Sequence, residues 1–185
     1  MSPRDFALRV SPMNEESKTL KIMRRIGAPE PEKIRITGIL KSPELAFLTL
    51  VLPSEDGDSL AALLSLLGAR EINIRFISKY ANSAGTTTLN LCVEEKALTP
   101  TLELIRAQAA ALGIRDLSHR PHAVIISIYP HKERARVAER LFTTLRINGI
   151  EPLAANNASS VISCVFRSNF LPRALACLDQ AFELP

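Results

Sequence analysis

Two short polar loops in this sequence carry opposite charge. "PSEDGDS" (Pro53 to Ser59) carries Glu55, Asp56 and Asp58, and "PHKERAR" (Pro130 to Arg136) carries His131, Lys132 and Arg134. Each precedes a helical pattern, so Asp58 or Ser59 can cap a helix N-terminus, where unpaired backbone N–H groups also suit a carboxylate. Neither loop nor any other stretch sets a nucleophile beside a base, pairs two acids, or spaces metal ligands recognisably, so no catalytic residue is expected. His119 and His122 stand three apart near a strand start without Cys or carboxylate partners, which argues against a metal site. Cys92, Cys164 and Cys177 are odd in number, lack zinc or redox spacing, and sit inside apolar runs. They read as small buried hydrophobes in a reducing compartment. No cofactor is implied.

Charge and composition exclude further classes. The net charge of +4 is mild, and the basic stretch His131 to Arg140 is interrupted by Glu133 and Glu139. That reads as a solvated helix face rather than a nucleic-acid surface. With no Trp and only two Tyr, the ring pattern of an RNA-binding sheet is missing. No apolar run approaches the roughly 20 residues that span a bilayer. "MSPRDFALRV" lacks the apolar core of a signal peptide. The expectation is a soluble cytoplasmic protein with no membrane partner, built as one large or two small domains from its 185 residues.

The elements that must position the loops follow from periodicity. Met1 to Lys33 is punctuated by Pro29 and Pro31 and reads as an arm with a short helix around Thr19 to Arg25. "KIRITGIL" (Lys33 to Leu40) alternates as a strand, and "LAFLTLVLP" (Leu45 to Pro53) is apolar enough to be buried on both faces. Leu60, Leu63, Leu64 and Leu67 make one helical face, with Gly68 where that helix would stop. In the next strand Ile72, Ile74 and Phe76 point one way and Asn73, Arg75 and Ile77 the other. "ANSAG" turns the chain, and Leu89, Leu91 and Val93 return. Pro100 opens a helix with a stripe at Leu102, Ile105, Ala109 and Leu112, closed by Gly113.

The order then repeats. "HAVIISIYP" (His122 to Pro130) is a strand, and Val137, Leu141 and Leu145 face a core from a helix that Gly149 ends. "IEPLAAN" is a strand weakened by Pro152, which suits an edge or a bulge, "VISCVF" is another strand, and Pro172 opens a helix striped by Leu171, Leu175, Leu178 and Phe182. Strand-helix-strand-strand-helix thus occurs twice. One added strand per unit gives an α+β fold of two tandem ferredoxin-like βαββαβ modules, with helices on one sheet face and the other face and edges free to pair.

These stretches resemble a known family. "ITGI" (Ile36 to Ile39), "EINIRFISKYANSAGTTTLNLCV" with its Asn-Ile strand and Gly-Thr-Thr strand start, "RVAERLFTTLRINGI" (Arg136 to Ile150) and "LDQAFEL" (Leu178 to Leu184) look like the paired ACT domains at the C-terminus of aspartokinases. The match runs from about Lys33 to Pro185. It sets an arm at 1–33, a first ACT module at 34–118 and a second at 119–185. The chain has no room for an amino-acid kinase fold beside these and no glycine-rich phosphate loop. The resemblance therefore implies a non-catalytic regulatory piece, comparable to the separate small subunit of some aspartokinases.

The resemblance also implies a ligand, a free amino acid held between modules by the first strand–helix loop and the start of the following strand of a neighbouring module. The matching positions here are Ser54, Asp56, Gly57, Asp58 and Ser59, with Asn73, Ile74 and Arg75. Gly57 and the Asn73-Ile74 pair fit the family pattern. Ser54 and Asp56 stand where Asp and Pro are usual, and Arg75 replaces a residue that is often Asp or Gln. In the second module Arg136 takes the place of the loop glycine, and Glu151 and Pro152 replace the Asn-Ile pair. The acidic first loop and the basic His131, Lys132 and Arg134 suggest a head-to-tail homodimer with a zwitterion between opposite charges. The expectation is allosteric sensing of lysine or threonine, read by a separate kinase subunit. The alternative is a tandem ACT protein that has lost ligand binding and serves as a dimerisation or partner-binding module.

Overall fold

In a computed structural model of the chain, the described residues are 32–53, 57–82, 85–131 and 134–185. The arm and its short helix fall outside them, save for the last two residues. Lys33–Pro185 packs as one unit. Its elements are β1 (Ile34–Lys41), β2 (Leu45–Pro53), α1 (Gly57–Ala69), β3 (Ile74–Asn82), β4 (Thr86–Glu94), α2 (Leu98–Ala107), β5 (Asp116–Pro130), α3 (Arg134–Ile147), β6 (Ala154–Asn157), β7 (Ile162–Arg167), α4 (Leu171–Ala181) and β8 (Phe182–Glu183). Short 3-10 turns at Glu95–Ala97 and Ser168–Phe170 lead into α2 and α4. Among the described residues no helix is long and apolar enough to cross a membrane.

The strands form an eight-stranded sheet in the order β3-β4-β2-β5-β1-β8, with β7 added to β5 and β6 to β7. Every pairing is antiparallel except β1 with β8. β5 is the organising strand, 15 residues long. Its first part pairs with β2, from Val51↔Asp116 to Leu45↔Ala123. Its second part pairs with β1, from Lys41↔Ile126 to Ile36↔Pro130, and with β7 on the other edge. β1 and β2 therefore lie end to end along one partner.

The fold is two ferredoxin-like ACT modules. β2, α1, β3, β4, α2 and the start of β5 make the first βαββαβ set. The rest of β5, α3, β6, β7 and α4, completed by β1 beside β8, make the second. Chain order puts Ile34–Lys41 at the head of the first module, but hydrogen bonding puts it in the second. The alternation of β1 buries Ile34 and Ile36, and the cluster they fill is that of Ile126, Leu141, Cys164 and Leu178. The stretch "IRDLSHR" likewise proves to be the opening of β5 and the fourth strand of the first module.

Each module has its own core beneath its helices. Leu48, Leu50, Leu89 and Leu91 of the first sheet meet Leu63 and Leu67 of α1 and Leu102 and Ile105 of α2. In the second, Val137, Leu141 and Leu145 of α3 meet Ala174, Cys177 and Leu178 of α4. The buried stripe of α4 is thus Ala174, Cys177, Leu178 and Ala181, so Leu178 is buried as expected while Leu171 and Leu175 are only partly buried. Small residues on that line let α4 approach α3. On the face away from the helices a third cluster joins Phe47, Phe76 and Cys92 to Ala123, Ile125 and Val165.

Two details depart from simple periodicity. A bulge between Ile74 and Phe76 interrupts the β3–β4 register. Ile72 and Ile74 consequently pack on the core beneath the helices, while Phe76 joins the opposite cluster. And α1 runs through Gly68 to Ala69. Its left-handed stop is Glu71, at φ 56°. Ile72 N–H bonds back to the Leu67 carbonyl at 3.0 Å, a Schellman-type closure.

Candidate functional site

The residues singled out by sequence fall at three places. At one end of the first sheet, α1 begins at Gly57, with Asp58 exposed in its first turn and Ser59 buried. Pro53 faces Thr86 there, and Thr86 faces Asn82. Ser54 and Asp56 lie outside the described residues. At the opposite end, Ile74 faces Val93, which faces Ala46. Asn73 and Arg75 are exposed on either side of the half-buried Ile74. His131 is exposed just past the end of β5, at the far end of the second module where Pro130 meets Ile36. Lys132 lies outside the described residues, and Arg134 opens α3. A single copy of the fold does not bring these three groups to one point, because a strand's two ends lie on opposite sides of its module.

Asn73 does have company. The turn that ends α1 and the exit of β4 enclose a groove of about 460 Å³, lined by Arg70, Glu71, Asn73, Glu94 and Lys96 among others. The Schellman closure places Glu71, and the β4-to-α2 connection places Glu94 and Lys96 opposite. Lys96 Nζ stands 2.9 Å from Glu94 Oε2. The hydrogen bond from Lys96, and then its charge, hold the Glu94 carboxyl below its ordinary range, helped by Arg75. The groove thus offers carboxylates, a guanidinium, an ammonium and a carboxamide within a small volume, a set that can meet both ends of a zwitterion. Of its members only Asn73 stood out in the sequence. Arg70, Glu71, Glu94 and Lys96 come together through tertiary structure and carry no spacing signal.

A second feature had no signal either. On the first sheet's face away from its helices, Thr49 donates to Asn90 Oδ1 at 2.9 Å, and Asn90 Nδ2 donates to Ser78 Oγ at 3.3 Å. Asn82 Nδ2 donates to the hydroxyls of Thr86 and Thr88, both at 3.0 Å. Asn90 is only 6% exposed, so this cross-strand row satisfies a buried amide and fixes register among β2, β4 and β3.

The three cysteines are buried and free. Burial pushes the Cys92 and Cys164 thiols up to about 12. Cys177 is also raised by burial, and its Sγ donates to the Ala174 carbonyl at 3.2 Å. Among the described residues no three His, Cys, Asp or Glu side chains gather as metal ligands.

No family model matches the chain. An aspartokinase from Bacillus sp. (strain MGA3) is 23% identical over 155 residues, which is 83% of this chain and 38% of that protein. The chain therefore spans little more than a third of the length of the curated relative it matches. Among solved structures, the ligand-free regulatory subunit of aspartate kinase from Thermus thermophilus superimposes with a TM-score of 0.70 at 20% identity, covering 80% of this chain and 99% of that one. A chain of a crystal structure of aspartokinase alpha and beta subunits gives 0.71 at 19% identity, covering 79% and 97%. The chain resembles the tandem ACT regulatory region of aspartokinases and has its fold.

Proposed function

We propose that this chain is a non-catalytic regulatory protein that binds a free amino acid between modules, as a cytoplasmic homodimer, and passes the binding event to a separate kinase subunit. One observation carries the reading. About four-fifths of the chain shares its fold with nearly the whole of aspartate kinase chains that are regulatory subunits in their own right. The groove at Asn73 supports it, since its mixed charges suit an α-ammonium and an α-carboxylate together. The distance along the module between Asn73 and the start of α1 supports a dimer, because only a neighbouring module can bring those two ends to one ligand. Opposite charge on the first and second loops favours a head-to-tail arrangement. Module limits near 34–118 and 119–185, with β1 lent to the second module, belong to the same reading.

Lysine or threonine is the proposed effector, by the family resemblance. A ligand that binds only the folded state at 100 times its dissociation constant adds about 2.7 kcal/mol. A thermal-unfolding panel of the common amino acids should therefore single out one ligand, and Asn73→Ala should abolish that shift. Arg75, Arg136 and Glu151 depart from the family pattern and favour the second reading, a module kept for assembly. A stable dimer with no amino-acid response, together with capture of a kinase subunit, would establish that reading instead. Charge reversal at Lys132 and Arg134 that left both dimerisation and affinity untouched would remove the head-to-tail arrangement.

A further inference from the structure

The place where β5 changes partners has features that amino-acid sensing does not use. Leu45 faces Ala123, but Phe47 faces Arg120, so β5 spends an extra residue at this point. The bulge holds His122 at φ 55°, left-handed for a non-glycine residue. Glu95 secures it: Oε2 accepts the His122 backbone N–H at 3.0 Å, and Oε1 lies 4.0 Å from Nδ1. β7 reaches only as far as Arg167, opposite Ala123, and then turns into Ser168–Phe170. Between that turn and the uncovered edge of β5 lies a cleft of about 490 Å³.

We infer that this cleft is a binding site for a small phosphorylated molecule carrying at least two negative charges. Its lining gathers two guanidiniums, Arg120 and Arg167, two imidazoles, His119 and His122, and the polar side chains of Ser168 and Asn169. No acidic side chain lines it. The nearby Glu95 is already engaged with His122. Among the described residues neither Arg120 nor Arg167 has a carboxylate partner. Both are exposed and flank Ala123, Arg167 across from it in register and Arg120 just beyond the bulge. Two planar forks lining one cleft can meet the bidentate demand of phosphate oxygens, and a hydroxyl and a carboxamide can supply the remaining donors. A ligand seated there touches the fourth strand of the first module and the β7–α4 turn of the second, so it would brace the two modules at their shared strand. The inference is independent of amino-acid sensing and survives if that reading fails.

Titration of the full chain with pyrophosphate at constant ionic strength, followed by calorimetry and by amide chemical shifts, tests it. Saturable binding is expected, with shifts concentrated at His119, Arg120, Ser168 and Asn169. Arg120→Gln with Arg167→Gln should weaken it about tenfold or more, given the strength of charge-assisted pairs. Lys79→Gln with Arg106→Gln, two exposed basic residues elsewhere, should leave it unchanged. An unchanged amide spectrum away from the cleft verifies that the arginine variant is folded, and either single substitution should weaken binding by itself. Absence of saturable binding, equal affinity in the arginine variant, or shifts scattered over the basic surface would each overturn the assignment.

Discussion

Glu71 sits in the left-handed region that ends α1, where glycine is the usual occupant, and its side chain lines the groove at Asn73. A left-handed non-glycine residue costs about 1–2 kcal/mol, and glycine's extra unfolded entropy returns about 0.5–1 of that. Glu71→Gly should therefore stabilise the chain by about 1 kcal/mol in urea unfolding, while weakening the response to the effector identified in the amino-acid panel. Stabilisation without loss of response would mean that Glu71 does not touch the ligand. The cysteines make a separate prediction. The Cys92 and Cys164 thiols move from 9.0 to about 12 on folding. Between those values the unfolded chain has lost protons that the folded chain keeps, so stability is fully present below pH 9 and declines as pH rises from 9 to 12. At pH 8 a maleimide should leave both thiols unlabelled until denaturant is added. Rapid labelling of the native protein would contradict their burial. The sequence marked Asn73 because the Asn73-Ile74 pair resembles the aspartokinase family's pattern. It could not mark Glu71, Glu94 or Lys96, because two separate connections, the turn after α1 and the passage from β4 to α2, bring them together.

Elements were legible where one face is buried and less so where the backbone departs from regular geometry. The stripe of α1 and the strands β2 and β7 lie where periodicity puts them, and Pro152 does precede an edge strand, β6. The β3 alternation fails at its bulge, and α2 ends at Ala107, six residues before Gly113. Beyond Ala107 the chain closes through turns, with Ile114 N–H bonded to the Ala109 carbonyl at 2.9 Å and Leu112 still buried. Periodicity of side chains survived there although the helix did not. Gly113 and Gly149 share nearly the same backbone, φ 62° and 61°, which separates conformation from crowding. A Cβ on Gly113 would stand 3.0 Å from Pro53 Cγ, whereas on Gly149 the nearest atom is Arg173 Nη2 at 3.6 Å. Gly149→Ala should thus cost the left-handed penalty, about 1–2 kcal/mol, and Gly113→Ala more than that. Equal losses in chemical denaturation would mean that Pro53 yields freely.

At the scale of the whole molecule, β5 makes two modules one structure. The repeat in the sequence announced two similar units, but chain proximity could not reveal that the strand at the head of the chain completes the second. That exchange has an energetic consequence. Ile36 is 1% exposed in the second module's core, and its strand lies end to end with β2 of the first along a common partner. Loss of a large buried aliphatic side chain costs about 2–5 kcal/mol. If the modules unfolded separately, Ile36→Ala would charge that loss to the second alone. With one continuous strand shared by both modules and the Phe47–Phe76–Val165 cluster between them, the first module cannot release β5 without exposing apolar surface of the second. Unfolding should therefore be a single transition, and hydrogen exchange in Ile36→Ala should accelerate by the same free energy at Leu89 in β4 and at Val165 in β7. Acceleration at Val165 with none at Leu89 would show that the shared strand bends without transmitting stability, and a signal between modules would then have to travel by rigid-body movement about His122 rather than by a common unfolding equilibrium.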